Sequence, residues 1–422
     1  MRKITQLPNK IRVVTQQLKD RDSVSIGIWF AAGGRYEHDT NKGVAHFLEH
    51  MAFKGSEKYT CEEVKQLVEG VGGALNAFTG EEETCYYAKV PARYLEQTFD
   101  VLSDISVFPK LVKKDLEKEK TVILEEIKMY HDLPQYYVGE LLDVLLWPDH
   151  PLGQSLAGTM KTVSEMNVLD LKDFHQRLYN PQNMVVSACG NIKHDDLVRL
   201  VTKKLHSLKS TQMVTYLPAR KDQDKPAVHL YYKATEQMHL ALGYLAYETN
   251  HPDYYALAML SIILGGNMSS RLFSEVREKR GLAYSVNSGI KSLDDTGVLI
   301  VRAGVDNTKI VPAVALILKV LSGAAKGVKA DEFKRAKDYY IGQFSLGLED
   351  TMDHMIWMGS VVLSNDTAKT PQQVIEKIKK VQISDVMRVA KAVLALKRTN
   401  MTIIGPMTET QQKQLKTLVD NG

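Results

Sequence analysis

The spacing of apolar and polar positions changes along this chain from a period of two to a helical period and back, and the order of those changes occurs twice. In the first half, residues 11–14 and 23–30 alternate or run apolar as strands do, and Gly33-Gly34 closes the second run. A helical pattern follows from about Gly43. A second helix is expected over 61–71 and is stopped by Gly72-Gly73. Strands over 74–79 and 84–90 flank the polar turn Gly80-Glu81-Glu82-Glu83. Helices are expected over 94–107 and 112–131, with Asp132 and Pro134 breaking the second, then a strand over 184–190 and a helix over 195–206.

Residues 208–226 are largely polar, carry Pro218 and end in Asp222-Gln223-Asp224-Lys225-Pro226, which reads as a linker. Beyond it the order recurs: strand 238–245, helix 253–264, a helix ending near Arg280-Gly281, strands 283–292 and 297–304, then helices. Gly73-Ala74-Leu75-Asn76-Ala77 lies opposite Gly281-Leu282-Ala283-Tyr284-Ser285 in the same register. The expectation is an internal duplication. The fold class is α+β, with two tandem homologous α/β-sandwich domains, each a mixed sheet packed against helices. The domains are 1–207 and 227–422, joined by 208–226.

Composition narrows the function classes. At 422 residues the chain is long for a single core. Hydrophobic content of 44% and charged content of 25% are those of a soluble globular protein. The net charge of +4 comes without a basic stripe interleaved with aromatics, which argues against nucleic acid as a partner. Cys61, Cys85 and Cys189 are scattered and form no paired framework, which favours a reducing compartment. With no signal-like N-terminus and no apolar window long enough to span a bilayer, a cytoplasmic location without a membrane span is expected.

The chemistry concentrates in His46-Phe47-Leu48-Glu49-His50. On a helix the two imidazoles lie one turn apart and face the same way, with Glu49 beside them. Two nitrogens so placed can chelate one metal ion, and a neighbouring carboxylate can act on a water there. The order is the reverse of the H-E-x-x-H zinc motif. The second copy has Ala256-Leu257-Ala258-Met259-Leu260 at this place and no ligand. Further along, Leu116, Ile123, Ile127 and Tyr130 mark the buried stripe of the 112–131 helix, and Glu119 and Glu126 fall on it. Core-facing carboxylates are costly unless they meet a cation, a metal or donors. They are read as a metal ligand and a supporting carboxylate, the alternative being two glutamates that reach water at the rim of the core.

His46 to Met51 with Phe53-Lys54-Gly55 closely resembles the inverted-zincin peptidases of the pitrilysin family, in its two-domain, processing-peptidase-like branch. The similarity runs in order along nearly the whole chain. It includes Asn76-Ala77-Phe78-Thr79, Glu125 to Met129, His150-Pro151-Leu152-Gly153, Tyr179-Asn180-Pro181 and Ser270-Arg271-Leu272-Phe273. It ends with Arg277 and Gly281-Leu282-Ala283-Tyr284. The resemblance implies one Zn2+ per chain, held by His46, His50 and Glu126, the last 76 positions after His50. Glu49 is then the general base and acid, and Glu119 supports a ligand. Arg277 and Tyr284 act as donors to developing negative charge. Residues 74–79 become an edge strand that pairs with an extended peptide, with Asn76, Ala77 and Phe78 at the substrate. The resemblance further implies a homodimer whose active site combines zinc from one subunit with Arg277 and Tyr284 of the other. The short Gly265-Gly266-Asn267-Met268-Ser269 stretch differs from the long glycine-rich loop of a processing-peptidase subunit, so presequence selection is not implied. A non-catalytic assembly subunit of the same fold is the competing reading; such relatives commonly lose ligands, and here every one is present. An obligate heterodimer partner is disfavoured for the same reason.

Overall fold

Strand pairing follows the alternation seen in the sequence. The computed structural model describes residues 2–211, 214–219, 223–365 and 369–420. Residues 212–213 and 220–222 of the expected linker, Asp222 among them, lie outside the described residues. The first sheet contains β1 (Arg2–Gln6), β2 (Arg12–Gln17), β3 (Ser23–Phe30), β4 (Ala74–Thr79), β5 (Thr84–Pro91) and β6 (Met184–Gly190), in the order β1-β2-β6-β3-β5-β4. The second contains β7 (Ala227–Tyr232), β8 (Gln237–Ala246), β9 (Ala283–Ser292), β10 (Gly297–Asp306) and β11 (Asn400–Gly405), in the order β7-β11-β8-β10-β9. In each sheet one pair is parallel, β2 with β6 and β11 with β7, and the other pairs are antiparallel. With β1 set aside, the two orders are identical, which is the expected duplication written in topology.

Each sheet is covered on both faces, and this explains strands such as β3 and β6 that are buried almost throughout. In the first unit one face carries the large core, with Phe47, Leu48, Phe99, Leu102, Ile123 and Phe174 against Ile26, Ile28, Phe30 and Tyr86. The other face is covered by the helix Thr351–Asn365, whose Met355, Met358 and Val362 pack on Val14, Trp29, Cys85, Val185 and Cys189. In the second unit the helix Pro134–Leu146 does the same work, laying Val138, Leu142 and Leu146 on Ala241, Val298, Ile300 and Ile404. Glycines let these helices approach. A Cβ at Gly27 in β3 would stand 2.7 Å from Met355 Sδ, and one at Gly243 in β8 would stand 3.1 Å from Leu142.

The compact units are discontinuous in sequence. One comprises Met1–Lys128, Gln154–Leu217 and Ser345–Thr370; the other comprises Met129–Gly153, Pro218–Phe344 and Pro371–Gly422. They differ from a contiguous split at 208–226 because the apolar stripes of two helices find their sheets in the other half of the chain. Other elements fall near their expected bounds, with two local differences. The 61–71 helix is α-helical over Cys61–Val68 and tightens to a 3-10 turn over Glu69–Val71. The segment before Gly281 is a π-helix, Phe273–Glu278. Among the described residues no single helix is long and apolar enough to cross a membrane.

A Cβ at Gly359, in the middle of Thr351–Asn365, would stand 2.2 Å from the Trp29 indole, whose Nε1 donates to Ser187 Oγ at 2.8 Å. Alanine would gain about 1 kcal/mol of helix propensity. Overpacking against a fixed ring costs about 1–3 kcal/mol. We expect Gly359→Ala to lower the urea midpoint, and an unchanged or raised midpoint would show that Trp29 yields.

Candidate metal centre

The helix Val44–Ala52 carries the two histidines, and its start is held unusually firmly. Gly43 caps it at φ +89, and a Cβ there would meet the Ala157 carbonyl oxygen at 2.6 Å. The buried Glu37 carboxylate accepts from the Gly43 and Ala45 N–H groups at 3.0 and 2.9 Å, satisfying donors that a helix start leaves open. Lys42 Nζ lies 3.8 Å from the same carboxylate. Burial pushes the Glu37 carboxyl up to about 7 against the pull of Lys42 and both backbone donors. No periodicity in the sequence marks Glu37; its role appears only when the loop folds back.

From that helix His46 and His50 project side by side, their ring centroids 4.6 Å apart. The long helix Lys113–Asp132 brings Glu126 to them. Its Oε2 lies 3.8 Å from His46 Nε2 and 3.6 Å from His50 Nε2. One ligand atom from each residue lies within 4.8 Å of the others. The set is two imidazole nitrogens and one carboxylate oxygen, the donor chemistry of zinc sites that keep a position open. Burial, then the neighbouring His50, lowers His46 to about 4, so its imidazole is neutral, as a ligand must be. Among the described residues, buried His46 Nδ1 has no hydrogen-bond partner, which leaves this ring to be oriented by whatever its Nε2 meets. The residues fit a divalent ion of the zinc type.

Glu119, two turns back along the same stripe and only 5% exposed, pairs with the other nitrogen of His50, Oε1 to Nδ1 at 2.9 Å. Lys54 Nζ lies 2.6 Å from Oε2 of the same carboxylate. Burial works against its ionisation, yet the bonds with His50 and Lys54 together hold Glu119 below the usual carboxylate range. Glu49 is half-buried, and burial raises its carboxyl despite the hydroxyl of Thr79, which donates to Glu49 Oε2 at 2.5 Å. Thr79 and Lys54 lie inside the stretches quoted for the family resemblance, but nothing in their spacing announces these bonds.

Thr79 ends β4, which pairs with β5 on one side and is the free edge of the sheet. Ala77 belongs to the core on the helix side, whereas Phe78 packs edge-on against Trp29 at 5.5 Å, on the opposite side. Asn76 is exposed, and its Oδ1 accepts the Ala77 N–H at 2.8 Å. Arg277 and Tyr284 belong to the second unit, at the π-helix and on the free edge strand β9. Both are exposed, Tyr284 to 74%. The Arg277 guanidinium lies over two rings, 4.8 Å from the centroid of Phe273 and 5.7 Å from that of Tyr284.

A two-unit α+β chain with an inverted H-x-x-E-H helix facing a glutamate helix defines the inverted-zincin class of peptidase folds. Two family models cover this chain: Insulinase (Peptidase family M16) over residues 12–160, and Peptidase M16 inactive domain over residues 165–340. An uncharacterized zinc protease of Mycobacterium leprae is 36% identical over 425 residues, covering 99% of this chain and 95% of that one. An uncharacterized zinc protease of Bacillus subtilis is 35% identical over 388 residues, covering 91% and 93%. Among solved structures, a protease from Helicobacter pylori matches with a TM-score of 0.91 at 25% identity over 96% of this chain and 99% of that one. A peptidase M16 inactive domain from Pseudomonas fluorescens has the same fold, with a TM-score of 0.90 at 20% identity over 97% of this chain and 98% of that one. The chain belongs to peptidase family M16, the pitrilysin family.

We expect the protein to bind about one zinc ion per chain, and Glu126→Gln to weaken binding by more than the 10- to 100-fold typical of a supporting residue. Chelator competition measures both. Unchanged affinity in Glu126→Gln would remove Glu126 from the ligand set.

Proposed function

We propose that this protein is a zinc-dependent endopeptidase that hydrolyses extended or unfolded peptides, and that a homodimer completes its active site. The observation that carries the reading is the convergence of His46 Nε2, His50 Nε2 and Glu126 Oε2 beside a half-buried Glu49. In this reading residues 1–207 supply the metal, 208–226 link, and 227–422 supply Arg277 and Tyr284. The zinc-protease names of relatives at 35–36% identity support the same chemistry. Three free cysteines accord with a reducing, cytoplasmic compartment.

His46, His50 and Glu126 would hold the ion, which when bound supplies a Lewis acid for the scissile carbonyl and for the attacking water. Glu49 takes the water proton and returns it to the leaving amine. Its raised proton affinity suits that double role, and Thr79 occupies one oxygen and leaves the other for the proton of the water. Glu119 orients the His50 ring through Nδ1. The free edge of β4 offers backbone donors and acceptors to an extended peptide. Asn76, Ala77 and Phe78 line that edge, and Asn76 would release the Ala77 N–H to a substrate carbonyl.

Negative charge developing on the carbonyl oxygen needs donors. Arg277 and Tyr284 of a second copy are assigned that task; they are exposed and stacked, a form ready for contact with another molecule.

Two experiments test this. Glu49→Gln is expected to keep zinc and lose about 10²- to 10⁴-fold in peptide hydrolysis; undiminished hydrolysis would sink the mechanism. No hydrolysis of any peptide by the wild type would favour the assembly-subunit reading. For the composite site, Glu49→Gln chains are mixed with Arg277→Ala chains, each inactive alone. Exchange between dimers in an equal mixture should restore roughly a quarter of wild-type activity, because about half the dimers become mixed and one of the two sites in each regains both parts. Continued inactivity despite proven exchange would place both halves of the site in one chain.

A further inference from the structure

Both oxygens of the buried Glu119 carboxylate are engaged, by different elements. Oε1 meets His50 Nδ1 at 2.9 Å, and Oε2 meets Lys54 Nζ at 2.6 Å. Resting on the zinc-site reading, we propose that Lys54 is a positioning residue of the metal centre. Its ammonium pins the plane of the Glu119 carboxylate, and through it the ring and tautomer of His50 that turn Nε2 toward Glu126.

A glutamate held by one bond can rotate about its side-chain torsions and still keep that bond. A second anchor on the other oxygen removes this freedom. Lysine has a flexible stem, so it serves as such an anchor only where its backbone is fixed. Here it is. Lys54 N–H donates to Met51 O at 3.1 Å just past the end of the histidine helix, and Gly55 turns the chain at φ +125. The next residues are tied to the segment that leads into the glutamate helix, by Lys110 N–H to Gly55 O at 3.1 Å and a β-bridge between Ser56 and Pro109. Lys54 therefore stands where the two metal-bearing helices are joined, and the distance between its backbone and Glu119 is set by that joint.

Exposure separates this role from a stabilising one. The Lys54 side chain is 36% exposed while that of Glu119 is 7% exposed. The half-exposed ammonium gives up little solvation in making the pair, and without it the buried Glu119 carboxylate still has the His50 Nδ1 bond, so the cost to folding is small beside the loss of orientation. Residues that orient a ligating histidine typically change metal affinity or activity 10- to 100-fold.

The test uses the full chain stripped of metal and reloaded with zinc. Zinc affinity is read by chelator competition for wild type, Lys54→Met, Lys54→Arg, Glu119→Gln and the Lys54→Met/Glu119→Gln double variant. The His50 tautomer is read from imidazole 15N shifts in the metal-free protein. We expect Lys54→Met to weaken zinc binding about 10- to 100-fold and to populate a second His50 tautomer, with the thermal midpoint of the metal-free protein lowered only slightly. Lys54→Arg should recover most of the affinity, and Lys54→Met should add little once Glu119 is glutamine. Zinc affinity within about twofold of wild type, or the same loss in the Glu119→Gln background, would overturn the proposal. A wild type that binds no zinc would instead overturn the metal reading on which it rests.

Discussion

Three donor atoms from two helices meet beside the first sheet, and the first unit is arranged around the cost of holding them there. Carboxylates and imidazoles removed from water must be paired or they neutralise. Three carboxylates around this site have such partners: Glu37 has Lys42 and two backbone N–H groups, Glu119 has His50 and Lys54, and Glu49 has Thr79. Among the described residues, Glu126 faces only the two imidazoles, at 3.8 and 3.6 Å. That is too long for hydrogen bonds and the right kind of spacing for atoms that face a common centre. The neighbouring carboxylates are engaged by donors, whereas Glu126 is left facing the two imidazoles with which it could hold a metal ion.

The second unit shows what the fold does without this burden. Its strand order repeats that of the first, and the glycine that admits the crossing helix recurs, as Gly27 in one sheet and Gly243 in the other. In place of the histidine helix it has Tyr254–Gly265, buried and apolar nearly throughout. The chemistry is thus carried by side chains placed on a scaffold that does not require them. What the second unit offers instead lies at its edge strand, where Tyr284 stands exposed under the Arg277 guanidinium. A π-helix precedes it, a distortion found often at functional positions.

Much of this was legible in the chain itself because it depends on short-range periodicity. The H-x-x-E-H helix, the stripe carrying Glu119 and Glu126, the four strands around the two hairpins and the duplicated order all follow from residues a few positions apart. Glu119 and Glu126 stood out because two charged residues fell on an apolar stripe. Lys54, Thr79 and Glu37 gave no such signal. Lysine after a helix, threonine at a strand end and glutamate in a loop are each ordinary, and their partners are 65, 30 and 6 to 8 residues away or on another element.

Local pattern therefore indicated which elements form, which faces they bury and which side chains are candidates to meet at a metal, since those properties repeat with the period of the backbone. Tertiary structure decided which sheet each amphipathic helix covers. Pro134–Leu146 and Thr351–Asn365 each carry apolar residues whose spacing does not name a sheet, and the fold lays the first on the second sheet and the other on the first. It also decided how the buried charges are satisfied, because the distance between an ammonium and a carboxylate depends on the joint between two helices and not on their separation in sequence.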